Sequence, residues 1–271
     1  MAIARKNERT PLQRFNGDRR RHPDRPVVLC EGDSWFAYPG TNLVRELHAL
    51  SRRKMTMLNL QDNGDEVTEM LAGKQRQKLR KRLARYRFDL ILFSGGGNDM
   101  VGEEFERLLL DAGVGGSWRD WIRMDRFERR LGQIRDSYLD LIGLRDDGKN
   151  PACPIVVHGY DRPHPSPTGF KLAGLNVSGP WMYPGLVKRN ITKPADQCRI
   201  AGFCIDAFND MIRELATEHE HVHYIATPGT LKRTEWADEI HPTRAGFKKL
   251  SRKYLPTLRR LLPATFRSQP S

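Results

Sequence analysis

Val27-Val28-Leu29-Cys30-Glu31-Gly32-Asp33-Ser34 passes from four apolar residues into a Gly-Asp-Ser turn. Branched apolar residues followed at once by turn formers mark a buried strand whose carboxyl end opens into a loop. The same reading applies to 55–60, 90–93, 155–157 and 222–226. Between these runs the apolar spacing becomes helical: Leu43, Leu47 and Leu50 share one face of 42–53, and Ile200, Phe203, Ala207, Met211 and Leu215 share one face of 196–219. Further helices are predicted over 67–71, 75–86, 118–145 and 243–262, the last with Thr243 as its cap. Short apolar strands alternating with helices predict an α/β fold, a three-layer α/β/α sandwich around a mainly parallel five-stranded sheet.

In such sheets the sites lie beyond the carboxyl ends of the strands. Ser34 follows the first strand, Gly64 the second and Asn98 the third, while Asp238 and His241 follow the fifth. Acyl transfer needs a nucleophile, a base to take its proton and donors where the carbonyl oxygen becomes negative. Ser34, His241 and Asp238 supply the first two functions, with Asp238 orienting the imidazole from three residues away. The Ser34 N–H, the Gly64 N–H and the Asn98 amide are the candidate oxyanion donors. Each segment also has a plainer reading: Asn63-Gly64 is an ordinary turn dipeptide, and Asp238-Glu239-Ile240-His241-Pro242 serves equally as a surface loop ending in a cap. The Gly-x-Ser-x-Gly elbow of the α/β-hydrolases is absent from the sequence around Ser34.

Taken together, Gly32-Asp33-Ser34, Gly64, Gly96-Gly97-Asn98-Asp99 and Asp238-Glu239-Ile240-His241-Pro242 resemble the motifs of the SGNH hydrolases, also called GDSL esterases and lipases. The resemblance spans residues 27–245. It implies a flavodoxin-like sandwich, no metal or other cofactor, and ester or thioester hydrolysis through an acyl-enzyme. Trp35 stands where the family's common name has leucine, and 60–64 matches the glycine motif loosely.

Domain organisation is expected to be simple: a basic flexible arm over 1–25 and a hydrolase-like domain over 26–265. Within it the Pro- and Gly-rich segment 161–195 is expected to form an active-site loop insertion. Trp35, Tyr38, Trp181 and Tyr183 are the candidate substrate-binding aromatics, although core packing accounts for Trp35 and Tyr38 equally well. His158 reads as a satisfied structural histidine. The run His219, His221 and His223 reads as a helix end entering a strand rather than a metal stretch.

The chain of 271 residues carries a net charge of +13. Three runs, 1–26, 74–87 and 244–267, each hold eight Lys or Arg residues. They predict attraction to an anionic surface, phospholipid or nucleic acid, with solvated helix faces as the plainer explanation. Cys30, Cys153, Cys198 and Cys204 form no CxxC pair and are expected to be reduced. With no membrane-length apolar run and no signal-like start, a cytoplasmic setting is expected. The favoured substrate is a small-molecule or lipid ester. The alternatives are a carbohydrate O-acetylesterase, and a basic nucleic-acid- or membrane-binding protein with a vestigial site.

Overall fold

The computed structural model describes residues 10–113, 116–172 and 175–266. Among them, five strands form one all-parallel sheet: β1 Val27–Gly32, β2 Thr56–Asn59, β3 Leu90–Ser94, β4 Ile155–His158 and β7 Val222–Ile225, in the order β2-β1-β3-β4-β7. This is the doubly wound order in which the chain reverses direction between β1 and β3. Val28, Leu29 and Cys30 are fully buried, as are Leu90 to Phe93 on the neighbouring strand. Burial on both faces explains why the strands read as continuous apolar runs.

Helices cover both faces. α4 Val67–Met70, α5 Gly73–Arg85, α7 Met124–Asp146 and α9 Pro194–Glu218 pack side by side in one layer. α3 Leu43–Leu50 and α10 Arg244–Lys253 pair in the other, with α11 Leu255–Leu261 and α12 Pro263–Phe266 following. Two short helices, α2 Ser34–Ala37 and α6 Gly102–Arg107, start directly after site segments. Segment 161–195 contains two antiparallel strands, β5 Phe170–Leu172 and β6 Leu175–Ser178, and then α8 Tyr183–Lys188.

Three sequence expectations need correction. Residues 11–21, expected within a flexible arm, form helix α1 Pro11–Arg21. Thr10 and Gln13 make a reciprocal capping box, Pro11 opens the first turn, and Phe15 buries itself edge-on against Tyr86 at 5.2 Å. One buried aromatic gives no apolar period, which is why the segment reads as an arm. Residues 1–9 of that arm lie outside the described residues. The helix expected over 118–145 begins only at Met124, because Leu109 and Ile122 pair in an antiparallel bridge. The helix expected over 243–262 breaks at Tyr254, where Pro256 opens a new first turn.

Residues of the first two basic runs meet near the amino end of β3. Arg19 from the first run and Arg85 from the second lie over the same Tyr86 ring, at 5.3 and 5.5 Å. Arg25 and Lys54 share an open hollow with Leu261 to Thr265, beside the amino ends of β1 and β3. Cys30, Cys153 and Cys204 are buried and Cys198 is exposed, all as free thiols. Among the described residues no helix is long and apolar enough to cross a membrane.

Candidate active site

The turn after β1 is narrow. A Cβ on Gly32 would lie 2.6 Å from the Ser94 carbonyl oxygen, so only glycine lets β1 and β3 approach here. Asp33 then caps α2 by accepting the Trp35 N–H at 3.0 Å. Ser34 is the first residue of that helix, and its N–H therefore has no intrahelical partner.

The loop after β7 supplies the other two residues. It is closed by a Trp236–Pro242 bridge and by the Ala237 N–H donating to the His241 carbonyl at 2.8 Å. Within it, Asp238 Oδ1 accepts the backbone N–H groups of Ile240 (3.0 Å) and His241 (2.8 Å). The same carboxylate faces His241 Nδ1, at 2.9 Å from Oδ1 and 3.0 Å from Oδ2, and accepts the Tyr38 hydroxyl at 3.2 Å. His241 Nε2 lies 2.7 Å from Ser34 Oγ. An unbroken chain therefore runs from carboxylate to imidazole to hydroxyl, and all three side chains are buried. Such a chain can move a proton from Ser34 to His241 as Ser34 Oγ forms a bond.

Gly64 and Asn98 border the same cleft as Ser34 and His241, a space of about 330 Å³. Gly64 has φ +84°, in the region that favours glycine, and a Cβ there would meet nothing within 4 Å. Asn98 Nδ2 donates to the Asp65 carbonyl at 2.9 Å, which fixes the plane of its amide. Its neighbour Asp99 holds this arrangement together, accepting the Val67 N–H at 2.6 Å and the Thr68 hydroxyl at 2.9 Å. Burial raises the Asp99 carboxyl to about 6, against the opposing pull of the Val67 N–H and of Arg130.

The aromatic candidates separate into groups. Tyr38 and Trp181 line the cleft, and both contact the imidazole: Tyr38 at 4.5 Å between ring centres and Trp181 edge-on at 5.1 Å. Burial and the Asp238 carboxylate push the Tyr38 hydroxyl far up, so it serves as a donor. Trp35 is a core residue instead, stacked on His158 at 5.4 Å with its Nε1 donating to the Ile240 carbonyl at 3.0 Å. It also lines a second chamber of about 30 Å³, shared with Ser34, Asn98, Val101, Met182 and Ile240. Tyr183 lines neither space, contrary to expectation; it contributes a backbone N–H to Glu239.

Behind the nucleophile lies a second polar chain, of which the sequence reading found only His158. Ser94 Oγ donates to Asp33 Oδ1 at 2.7 Å, and the Tyr160 hydroxyl donates to Asp33 Oδ2. His158 has Nε2 2.8 Å from Ser94 Oγ and Nδ1 2.7 Å from the Gly159 carbonyl. Burial lowers the His158 pKa, outweighing the Gly159 carbonyl and the Asp33 carboxylate. Among the described residues, no group of three or more His, Cys, Asp or Glu side chains could hold a metal ion. His219 ends α9, as its position before a strand suggests.

Solved structures share this arrangement of sheet and helices. An acetylxylan esterase from Geobacillus stearothermophilus, solved as a catalytic mutant, superposes with a TM-score of 0.51 at 15% identity, over 90% of this chain and 97% of that one. The fold is one that solved esterases share. A family 3 carbohydrate esterase from Clostridium thermocellum gives a TM-score of 0.50 at 11% identity, over 89% of this chain and all of its own. A protein named as a GDSL-like lipase, from Bacteroides ovatus, gives 0.50 at 16% identity over 89% of this chain. The present chain spans 55% of the length of that lipase-like protein. At these identities the likeness is one of fold. No family model matches the sequence, and no curated protein matches it.

Proposed function

We propose that this protein is a serine hydrolase of carboxylic esters with a short acyl group. The observation that carries the reading is the chain Asp238–His241–Ser34, with links of 2.9 and 2.7 Å, opening into a cleft that Gly64 and Asn98 also border. Ser34 Oγ attacks the acyl carbon while its proton passes to His241 Nε2. The carbonyl oxygen, now negative, accepts hydrogen bonds from the Ser34 N–H, the Gly64 N–H and Asn98 Nδ2. Collapse breaks the bond to the alkoxy group, which leaves with the proton from Nε2. Water then gives a proton to His241, attacks the acyl carbon, and releases the acid and Ser34.

The acyl size follows from which group must face the base. The leaving oxygen takes its proton from Nε2, so the alcohol side occupies the 330 Å³ cleft that His241 lines. The acyl group turns toward the chamber that Ser34 and Asn98 share without His241, and that chamber has only about 30 Å³. Its apolar lining suits an acetyl or propionyl group and leaves little room for a lipid chain. Arg19, Arg25, Lys54 and Arg85, near the amino ends of the strands, would hold the enzyme on an anionic surface with its cleft turned outward.

Hydrolysis of a p-nitrophenyl ester series by wild type and Ser34→Ala tests the reading. The acetate should turn over faster than the octanoate, and the variant should be inactive. Faster octanoate turnover would overturn the short-acyl assignment. Absence of both turnover and fluorophosphonate labelling would favour a binding protein with a vestigial site.

A further inference from the structure

Asp238 and Glu239 are adjacent carboxylates with opposite outlooks. Asp238 turns inward to His241, whereas Glu239 turns toward segment 161–195. Its side chain is buried, and among the described residues it forms no salt bridge. Four backbone N–H groups meet it instead: Trp181 (2.5 Å) and Met182 (2.8 Å) at Oε2, and Tyr183 (2.8 Å) and Ser166 (3.3 Å) at Oε1. Hydrogen bonds to an ionised acceptor are the strong kind, and four on one carboxylate fix the course of the backbone that supplies them. Trp181 is also tied from its other side, because its carbonyl accepts the Gly102 N–H at 2.9 Å, four residues beyond Asn98. The indole is thereby pinned between the loop of the base and the segment of the oxyanion donor.

We infer that Glu239 is a positioning residue: its carboxylate holds the backbone at Trp181 so that the indole forms a fixed wall of the alcohol side of the cleft, edge-on to His241. This rests on the esterase reading of the site. The wall and the base then move as one body, and the width of the cleft is set by the loop that carries the base. The Glu239 carboxylate touches no reacting atom. Its effect should therefore fall on substrate binding before it falls on turnover.

The test has two arms. Hydrogen exchange at the amides of Trp181, Met182 and Tyr183, measured in wild type and Glu239→Gln, needs no activity. The variant's amide nitrogen cannot accept, so exchange at these amides should accelerate while that of β1 and β3 stays unchanged. Glu239→Asp, a shorter carboxylate, should be intermediate, and it substitutes if the glutamine variant fails to fold. In the kinetic arm, Glu239→Gln should raise KM for p-nitrophenyl acetate on the order of tenfold with a smaller change in kcat. Trp181→Ala should do the same, and the double variant should add little, because both changes remove one wall. Unchanged exchange at 181–183, or a KM effect that adds fully to that of Trp181→Ala, would overturn the inference. Accelerated exchange in a protein that hydrolyses no ester would support the clasp and sink the esterase reading.

Discussion

Two sets of Ser, His and Asp stand back to back across residues 33 and 34. In the front set the imidazole is central: His241 touches both Ser34 and Asp238. In the rear set the hydroxyl is central: Ser94 touches both His158 and Asp33. A central imidazole can take the serine proton and be steadied by the carboxylate, whereas a central serine has its own proton committed to the carboxylate. The front serine borders two spaces and the oxyanion candidates. The rear one is 1% exposed and sealed beneath Gly32. Trp35 divides them, its ring stacked on the rear imidazole and its Nε1 holding the front loop. Residue types therefore do not make a site; their order along the proton path and their access to a substrate do.

The sharpest way to break this comparison is to remove each serine in turn. Ser34→Ala should lower kcat by at least about 10⁴-fold, the scale on which nucleophile loss is felt in triad enzymes, with little change in melting temperature. Ser94→Ala should reverse the pattern. It leaves His158 Nε2 without its partner, takes one donor from Asp33 Oδ1, and should cost about 1–3 kcal/mol of stability, while activity stays within roughly tenfold. Equal loss of activity in the two variants would mean that the rear chain takes part in the chemistry.

The next effect concerns the donors that only the front set has. Asn98→Ala should lower kcat by about 10²–10³-fold on short-acyl esters, with the fold intact by circular dichroism. A smaller effect follows from the rear carboxylate. Tyr160→Phe deletes the hydroxyl that donates to Asp33 Oδ2 and should destabilise by about 1–3 kcal/mol, read by chemical denaturation.

The front set was legible in the sequence because its members sit at strand ends, where short apolar runs stop and Gly, Asp, Asn and Ser begin. Asp238 and His241 were legible as a pair because they share one loop. The rear set was not: Tyr160 reaches Asp33 across 127 positions, and Ser94 reaches it across 61. Hydrogen bonds of that span leave no periodic trace, and Ser94 reads simply as the end of an apolar run. Glu239 and Asp99 were hidden differently, each standing beside a site residue that drew the attention. Their partners are backbone N–H groups, which no side-chain pattern reveals. Helix α1 is the opposite case, since its Thr10-Pro11-Leu12-Gln13 start carries a legible capping box that the surrounding arginines obscured.

The finest difference between the two sets should appear as a pH effect on stability. Burial lowers the pKa of His158 below the ordinary 6.5. Between the folded and unfolded values the unfolded chain binds a proton that the folded chain does not, so stability rises with pH across that window. The contribution is fully present above the unfolded pKa of 6.5 and is lost as pH falls through the window beneath it. Glu31 and Asp99, raised by burial to about 7 and about 6, act in the opposite sense, because their ionisation on going up in pH costs stability. Total stability therefore mixes the two trends, and the comparison has to be made between proteins. Glu31 and Asp99 are common to wild type and His158→Gln, so the difference in their pH dependence isolates the imidazole. On going from about pH 7.5 to about pH 5.5, wild type should lose more melting temperature than the variant. An equal loss in both would mean that His158 takes up its second proton as readily in the folded chain as in the unfolded one, and a smaller loss in wild type would mean that the rear imidazole already carries that proton at neutral pH, as an ion pair bridged by Ser94.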